Sequence, residues 1–225
     1  MKLPLDFVCK IHNQINFNLN MYFSKLISRE STSESLWPIV LTEESIKDFE
    51  INVADVSRKY YSMSNGIKFN PLNSDHMSML LYLLSRKIIT KLGDSEIADS
   101  ISYLNRIMHG IDVWHSVELP KNFIFIHPVG TILGKAKYSD FVAVYQGVTV
   151  GSSNSNYPTF NGAVILYSNV SILGNCQIGE NTIIGANTIL IDKNIPPNSS
   201  VWNSKELVIK KHFENIQRSF MHGES

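Results

Sequence analysis

From Leu166 onward an aliphatic side chain returns at every sixth position: Leu166, Ile172, Ile178, Ile184 and Leu190. The smaller residues Val170, Cys176, Thr182 and Thr188 fall four places after an aliphatic one, and glycine follows directly in Ile178-Gly179 and Ile184-Gly185. A period of six is neither the 3.6 of a helix nor the two of a half-buried strand. Short fixed repeats signal a solenoid, in which each unit buries its apolar face on its neighbours. The pattern predicts a parallel β-helix of hexapeptide repeats, with the aliphatic residue of each short strand turned inward and small residues easing the corners. An antiparallel sandwich would alternate with period two and turn every eight to twelve residues. Less regular coils come earlier, at Val142, Val148 and Val150, and a polar loop from Ser152 to Asn161 interrupts them. A loop inserted into a solenoid lies on its binding face.

The first half has a different texture. Asn73, Ser74 and Asp75 offer capping oxygens ahead of Met77, Met79, Leu80, Leu81, Leu83, Leu84, Ile88 and Ile89, which predicts a buried helix. Asp94 or Ser95 caps another, with Ile97, Ile101, Leu104 and Met108 on one face and Gly110 at its stop. Weaker helical patterns cover Leu5 to Ile27 and Glu44 to Met63, separated by the polar stretch Ser28 to Ser35. The expected fold class is therefore α+β: a helical domain over residues 1–110, a left-handed parallel β-helix over 111–204, and a partly helical tail over 205–225.

Composition narrows the partners. Twenty Lys and Arg balance twenty Asp and Glu, so no net field draws a polyanion, and nucleic acid is not an expected partner. Cys9 and Cys176 have no metal-ligand spacing, which suits a reducing compartment and predicts no metal and a cytoplasmic setting. Neither a signal-peptide pattern at Met1 to Lys10 nor a run of eighteen apolar residues occurs, so no membrane insertion is expected.

Three segments occur in order: His127-Pro128-Val129-Gly130-Thr131-Ile132-Leu133-Gly134, then Gln146-Gly147-Val148-Thr149-Val150-Gly151, then, after the polar loop, Ile172-Leu173-Gly174-Asn175. From Ile111 to Lys205 the sequence resembles the serine acetyltransferases among the hexapeptide-repeat acyltransferases. The resemblance implies transfer of an acetyl group from acetyl-CoA to a hydroxyl, with His127 as general base and Asp112, fifteen residues earlier, as its partner. Imidazole titrates near neutrality, and a carboxylate on its other nitrogen fixes the tautomer and stabilises the imidazolium. The Gly151-Ser152 corner is the expected source of oxyanion donors beside the thioester. Coenzyme A is expected in a groove between neighbouring subunits, along Ser168, Gly185 and Ala186. Lys205, with Lys193, Lys210 and Lys211, is a candidate for its phosphates, although plain solvated surface suits each as well. The resemblance implies a homotrimer, with a dimer of trimers as the larger assembly. His115 has no role in that pattern and reads as structural; His109 reads as the end of a helix, where an imidazolium suits the dipole.

The sequence departs from the family at the acceptor. Ile126 stands where an aspartate precedes the histidine, and Asn156-Tyr157-Pro158 stands for an arginine-histidine-proline triplet, so the charges that hold an amino acid are missing there. The segment Met221 to Ser225 also lacks the terminal isoleucine by which many members engage their cysteine-synthesis partner. Ile126, Asn156 and Tyr157 are the expected acceptor-binding residues. Their neutrality favours a sugar, nucleotide-sugar or glycan precursor as the small-molecule acceptor. The alternatives are serine acetylation with rearranged recognition and a non-catalytic β-helix scaffold.

Overall fold

The structure, a computed structural model, describes residues 3–23, 37–54 and 68–222. Four helices form its first half: α1 (Leu5–Phe23), α2 (Ile39–Asn52), α3 (Ser74–Leu92) and α4 (Ser95–His109). The caps are those the sequence offers. Asn73 Oδ1 accepts from the N–H groups of Asp75 (2.9 Å) and His76 (3.4 Å), and Asp94 accepts from Ile97 N–H (3.2 Å). Gly93 and Gly110 end α3 and α4 in the left-handed conformation. α3 packs on both α2 and α4, which is why its surface is apolar nearly all round. The second helix begins at Ile39 behind Pro38, not at Glu44. Its expected continuation from 55 to Met63, and the polar stretch Ser28 to Ser35, lie outside the described residues.

Residues 112–203 wind into three parallel sheets. One stacks Asp112–Val113, Ile132–Leu133, Thr149–Gly151, Ser171–Leu173 and Ile189–Ile191. The second stacks Asn122–Phe125, Phe141–Val144, Val164–Leu166, Thr182–Ile184 and Ser199–Asn203; the third, Thr159–Phe160, Gln177–Ile178 and Asn194–Ile195. Within each sheet like residues fall in register: Val150 on Ile172 on Leu190, Leu166 on Ile184, Phe160 on Ile178. All five residues of the six-fold series are fully buried. Val170, Cys176, Thr182 and Thr188 are buried as well. Residues two apart in a strand share a face, so these small residues fill the inside of the coil rather than the outside of its turns.

The corners are turned by left-handed residues. Gly110, Gly130, Gly147, Asn169 and Asn187 stack in one column with positive φ, and Asn169 Nδ2 donates to Asn187 Oδ1 at 3.1 Å. Glycine and asparagine are the residues that reach this region at least cost. The last strand, Leu207–Lys211, returns antiparallel along Ser199–Asn203, and α5 (Ile216–His222) follows. The tail is therefore strand before helix; a run as short as Leu207-Val208-Ile209 is too brief to show a period.

The helical half holds the first coil by its backbone. Asn52 Oδ1 accepts from Phe123 N–H (2.8 Å), and the Tyr82 hydroxyl donates to Val117 O (2.8 Å) while accepting from Leu119 N–H (3.0 Å). Asp75 Oδ1 accepts from His127 N–H (3.0 Å). These buried polar side chains set where the coil starts.

Candidate active site

One corner of the solenoid collects several of the expected site residues. The N–H groups of Ile126, Tyr145, Tyr167 and Gly185 donate to Val144, Leu166, Ile184 and Val201, so the residues that follow, His127, Gln146, Ser168 and Ala186, run down the corner coil by coil. The connection between strands takes residues 145–148, 167–170 and 185–188 in the later coils but 126–131 in the first, which is longer by two residues. His127 sits in that longer corner with φ 49 and a side chain 57% exposed. Below it, Gly185 allows a close approach: a Cβ there would lie 3.1 Å from Trp202 Cβ and 3.2 Å from Val201 O.

The expected pair of His127 with Asp112 is not the pair seen. Asp112 lies in register with Ile132, past the corner, and its carboxylate meets Arg106 (Nη1 to Oδ2, 3.4 Å). The carboxylate against His127 is Asp75, with Oδ1 on the backbone N–H (3.0 Å) and Oδ2 3.8 Å from Nδ1. The Asp75 side chain is 6% exposed. Burial pushes its carboxyl above the ordinary range, while the His127 N–H and ring pull it back. Among the other histidines, His115 is buried away from this corner, with Nε2 2.6 Å from Asp99 Oδ1 and its carbonyl accepting from Arg86. His109 does end α4, but burial pushes its pKa down to about 4, so it is neutral there rather than an imidazolium. Its Nδ1 lies 3.0 Å from Ser74 Oγ, one residue from Asp75.

Gly151, Ser152 and the polar loop with Asn156 and Tyr157 follow the other edge of the five-stranded sheet. Gly151 closes a strand of that sheet and Ser152 opens the polar loop, exposed. The loop turns tightly, with Ser153 and Asn156 exchanging backbone hydrogen bonds (3.2 and 2.9 Å). Tyr157 then lies with its ring centroid 5.1 Å from Lys135 Nζ. Lys135, Asp112, Trp114, Ile132 and Gly134 line one cavity of about 510 Å³. Ile126 is 6% exposed, so its side chain packs inward and is not presented to an acceptor at the surface. Lys193, Lys205, Lys210 and Lys211 are exposed. Because parallel strands all start at one edge and end at the other, His127 and Tyr157 are separated by the width of the sheet, on the order of 10 Å.

Two residues of this region carried no signal in the sequence. Asp75 reads as a first-turn acid of α3, and its partner is 52 residues away. Lys135 reads as a surface lysine. Among the described residues no cluster of three or more His, Cys, Asp or Glu side chains could hold a metal, and no helix is long and apolar enough to cross a membrane.

No protein-family model matches the chain. Over 106 residues, 45% of the chain, it is 31% identical to serine acetyltransferase of Synechococcus elongatus. It spans about half the length of the curated relatives it matches: 43% of that protein and 61% of serine acetyltransferase from Staphylococcus aureus, at 27% identity. Among solved structures, serine acetyltransferase isoform 3 of Entamoeba histolytica in complex with cysteine superposes with TM-score 0.60 at 24% identity, covering 93% of this chain and 74% of that one. Serine acetyltransferase of Brucella abortus in complex with coenzyme A gives TM-score 0.62 at 16% identity, covering 95% of this chain and all of that one. At these identities the structural likeness is one of fold. In sequence along the solenoid and in fold along nearly its whole length, the chain is a serine acetyltransferase-like protein of the hexapeptide-repeat, left-handed β-helix type.

Proposed function

We propose that the chain transfers an acetyl group from acetyl-CoA to the hydroxyl of serine, with His127 as general base. The observation that carries this reading is an exposed imidazole on a widened solenoid corner, at the head of the column Gln146, Ser168 and Ala186, in a chain similar to serine acetyltransferases. His127 takes the proton of the acceptor hydroxyl as its oxygen bonds to the thioester carbonyl carbon. The C–S bond then breaks, and the ring returns the proton to the departing sulfur. Backbone N–H groups at the Gly151-Ser152 corner are the proposed donors to the oxyanion. The thioester arm fits along Ser168, Gly185 and Ala186, where little side chain stands in its way. Lys205, with Lys210 and Lys211 further along in the last strand, suits the phosphates.

The neutral Asn156 and Tyr157 favour a sugar when read alone. Serine is the better acceptor on two grounds. The relatives are named serine acetyltransferases, and the Asp112 cavity carries both a carboxylate and, in Lys135, an ammonium, which suits a zwitterion. Asp112 is then reserved for the acceptor's amine or, as the resemblance implies, for the base.

A homotrimer completes the reading. Trp114, Ile132, Ile189 and Ile191 expose an apolar face on the five-stranded sheet, between the His127 edge and the Tyr157 edge. A neighbour packed there brings its own loop toward His127. Light scattering should give the mass of three chains, or of six if trimers pair. Ile189→Asp with Ile191→Asp should give one. A monomeric parent would contradict the assembly.

The reading is tested by product analysis with acetyl-CoA against a panel of amino acids and sugars. O-acetylserine should be the main product, and Tyr157→Ala should raise the apparent KM for serine about tenfold or more, the range of a lost stacking or cation–π contact, with coenzyme A binding unchanged. An acetylated sugar would replace serine, and a Tyr157→Ala protein that loses coenzyme A but keeps the acceptor would refute the loop assignment.

A further inference from the structure

Few residues other than glycine adopt positive φ, and His127 is one that does, with φ 49. The solenoid does not account for this. Its ladder along this edge ends with Ile126 N–H donating to Val144 O at 2.9 Å, and the two additional residues of the first corner lie beyond it. The group that meets the next N–H comes from the helical half. Asp75 Oδ1 accepts it at 3.0 Å, and Oδ2 of the same carboxylate lies 3.8 Å from His127 Nδ1. Asp75 is itself fixed: its side chain is buried, and its own N–H donates to Asn73 Oδ1 at 2.9 Å. It stands in the first turn of α3, where the helix end favours a negative charge.

We infer that Asp75 is the positioning residue for His127, one oxygen holding the backbone of the corner in its left-handed conformation and the other drawing the Nδ1 side of the ring. The inference rests on the reading of His127 as the base. With Nδ1 on the Asp75 side of the ring, Nε2 is the nitrogen that serves the acceptor. The helical half thus orients a group carried by the solenoid.

The test uses the full chain with isotope-labelled histidine, the His127 resonances being assigned with His127→Ala. In the parent, the ring nitrogens should report a proton on Nδ1; a proton fixed on Nε2 would overturn the inference without any variant. Asp75→Asn keeps an oxygen for the His127 N–H and loses the charge. It should loosen the preference for a proton on Nδ1, which the ring nitrogens report. It should reduce kcat roughly 10- to 100-fold, part of the full general-base contribution, with the KM for acetyl-CoA unchanged. Asp75→Ala, which also releases the corner, should be slower still. A merely structural Asp75 would leave the His127 tautomer and kcat of folded Asp75→Asn at parental values, and that result would overturn the inference. Absence of turnover in the parent with any hydroxyl acceptor would instead overturn the transferase reading, and the tautomer of His127 would still decide the role of Asp75.

Discussion

Replacing His127 by alanine should abolish acetyl transfer without unfolding the protein. General base catalysis is worth about 10²–10⁴-fold in rate, and nothing else on the corner column can take a proton at neutral pH: the residues below His127 are Gln146, Ser168 and Ala186. The cost to stability should be small. The side chain is 57% exposed, and the hydrogen bond that ties this residue to Asp75 uses its backbone N–H, which alanine retains. Asp112→Asn should be milder, because its carboxylate meets Arg106 rather than the ring. Both variants need the assembly mass and coenzyme A affinity of the parent as controls. A folded His127→Ala protein turning over within a few-fold of the parent would make the histidine structural.

Truncating Ile172 to alanine should produce the largest loss of stability. Ile172 is fully buried, with Val150 on one side and Leu190 on the other in the five-stranded sheet. A coil stacked between two others cannot close around a cavity without breaking register, so the cost should lie near the usual range for this change, about 2–5 kcal/mol. Asn175→Ala, three residues on and exposed, should stay within about 0.5 kcal/mol. Denaturant unfolding of the two variants against the parent checks both. Equal small effects would mean that the six-residue period does not mark the core.

The solenoid was legible because its repeat is short and every unit buries its aliphatic residue in the same way; Leu166 to Leu190 needed no long-range information. The helix caps at Asn73 and Asp94 were legible for the same reason, since a cap acts on residues two or three away. Three features were not legible. The longer corner at 126–131 breaks the period where it matters most, and the resemblance sets Asp112 beside His127, whereas the structure sets it in register with Ile132 and against Arg106. Asp75 is joined to His127 by packing of the helical half on the solenoid, which no local pattern records. The neutral His109 depends on burial, whereas its place at a helix end suggested the opposite charge.

The central claim is an acceptor-dependent acyl transfer, and it is tested most directly by following free thiol release from acetyl-CoA with and without L-serine. Saturable release that requires serine, and that disappears in folded His127→Ala, is the predicted result. No serine-dependent release from a folded assembly that binds coenzyme A would contradict it.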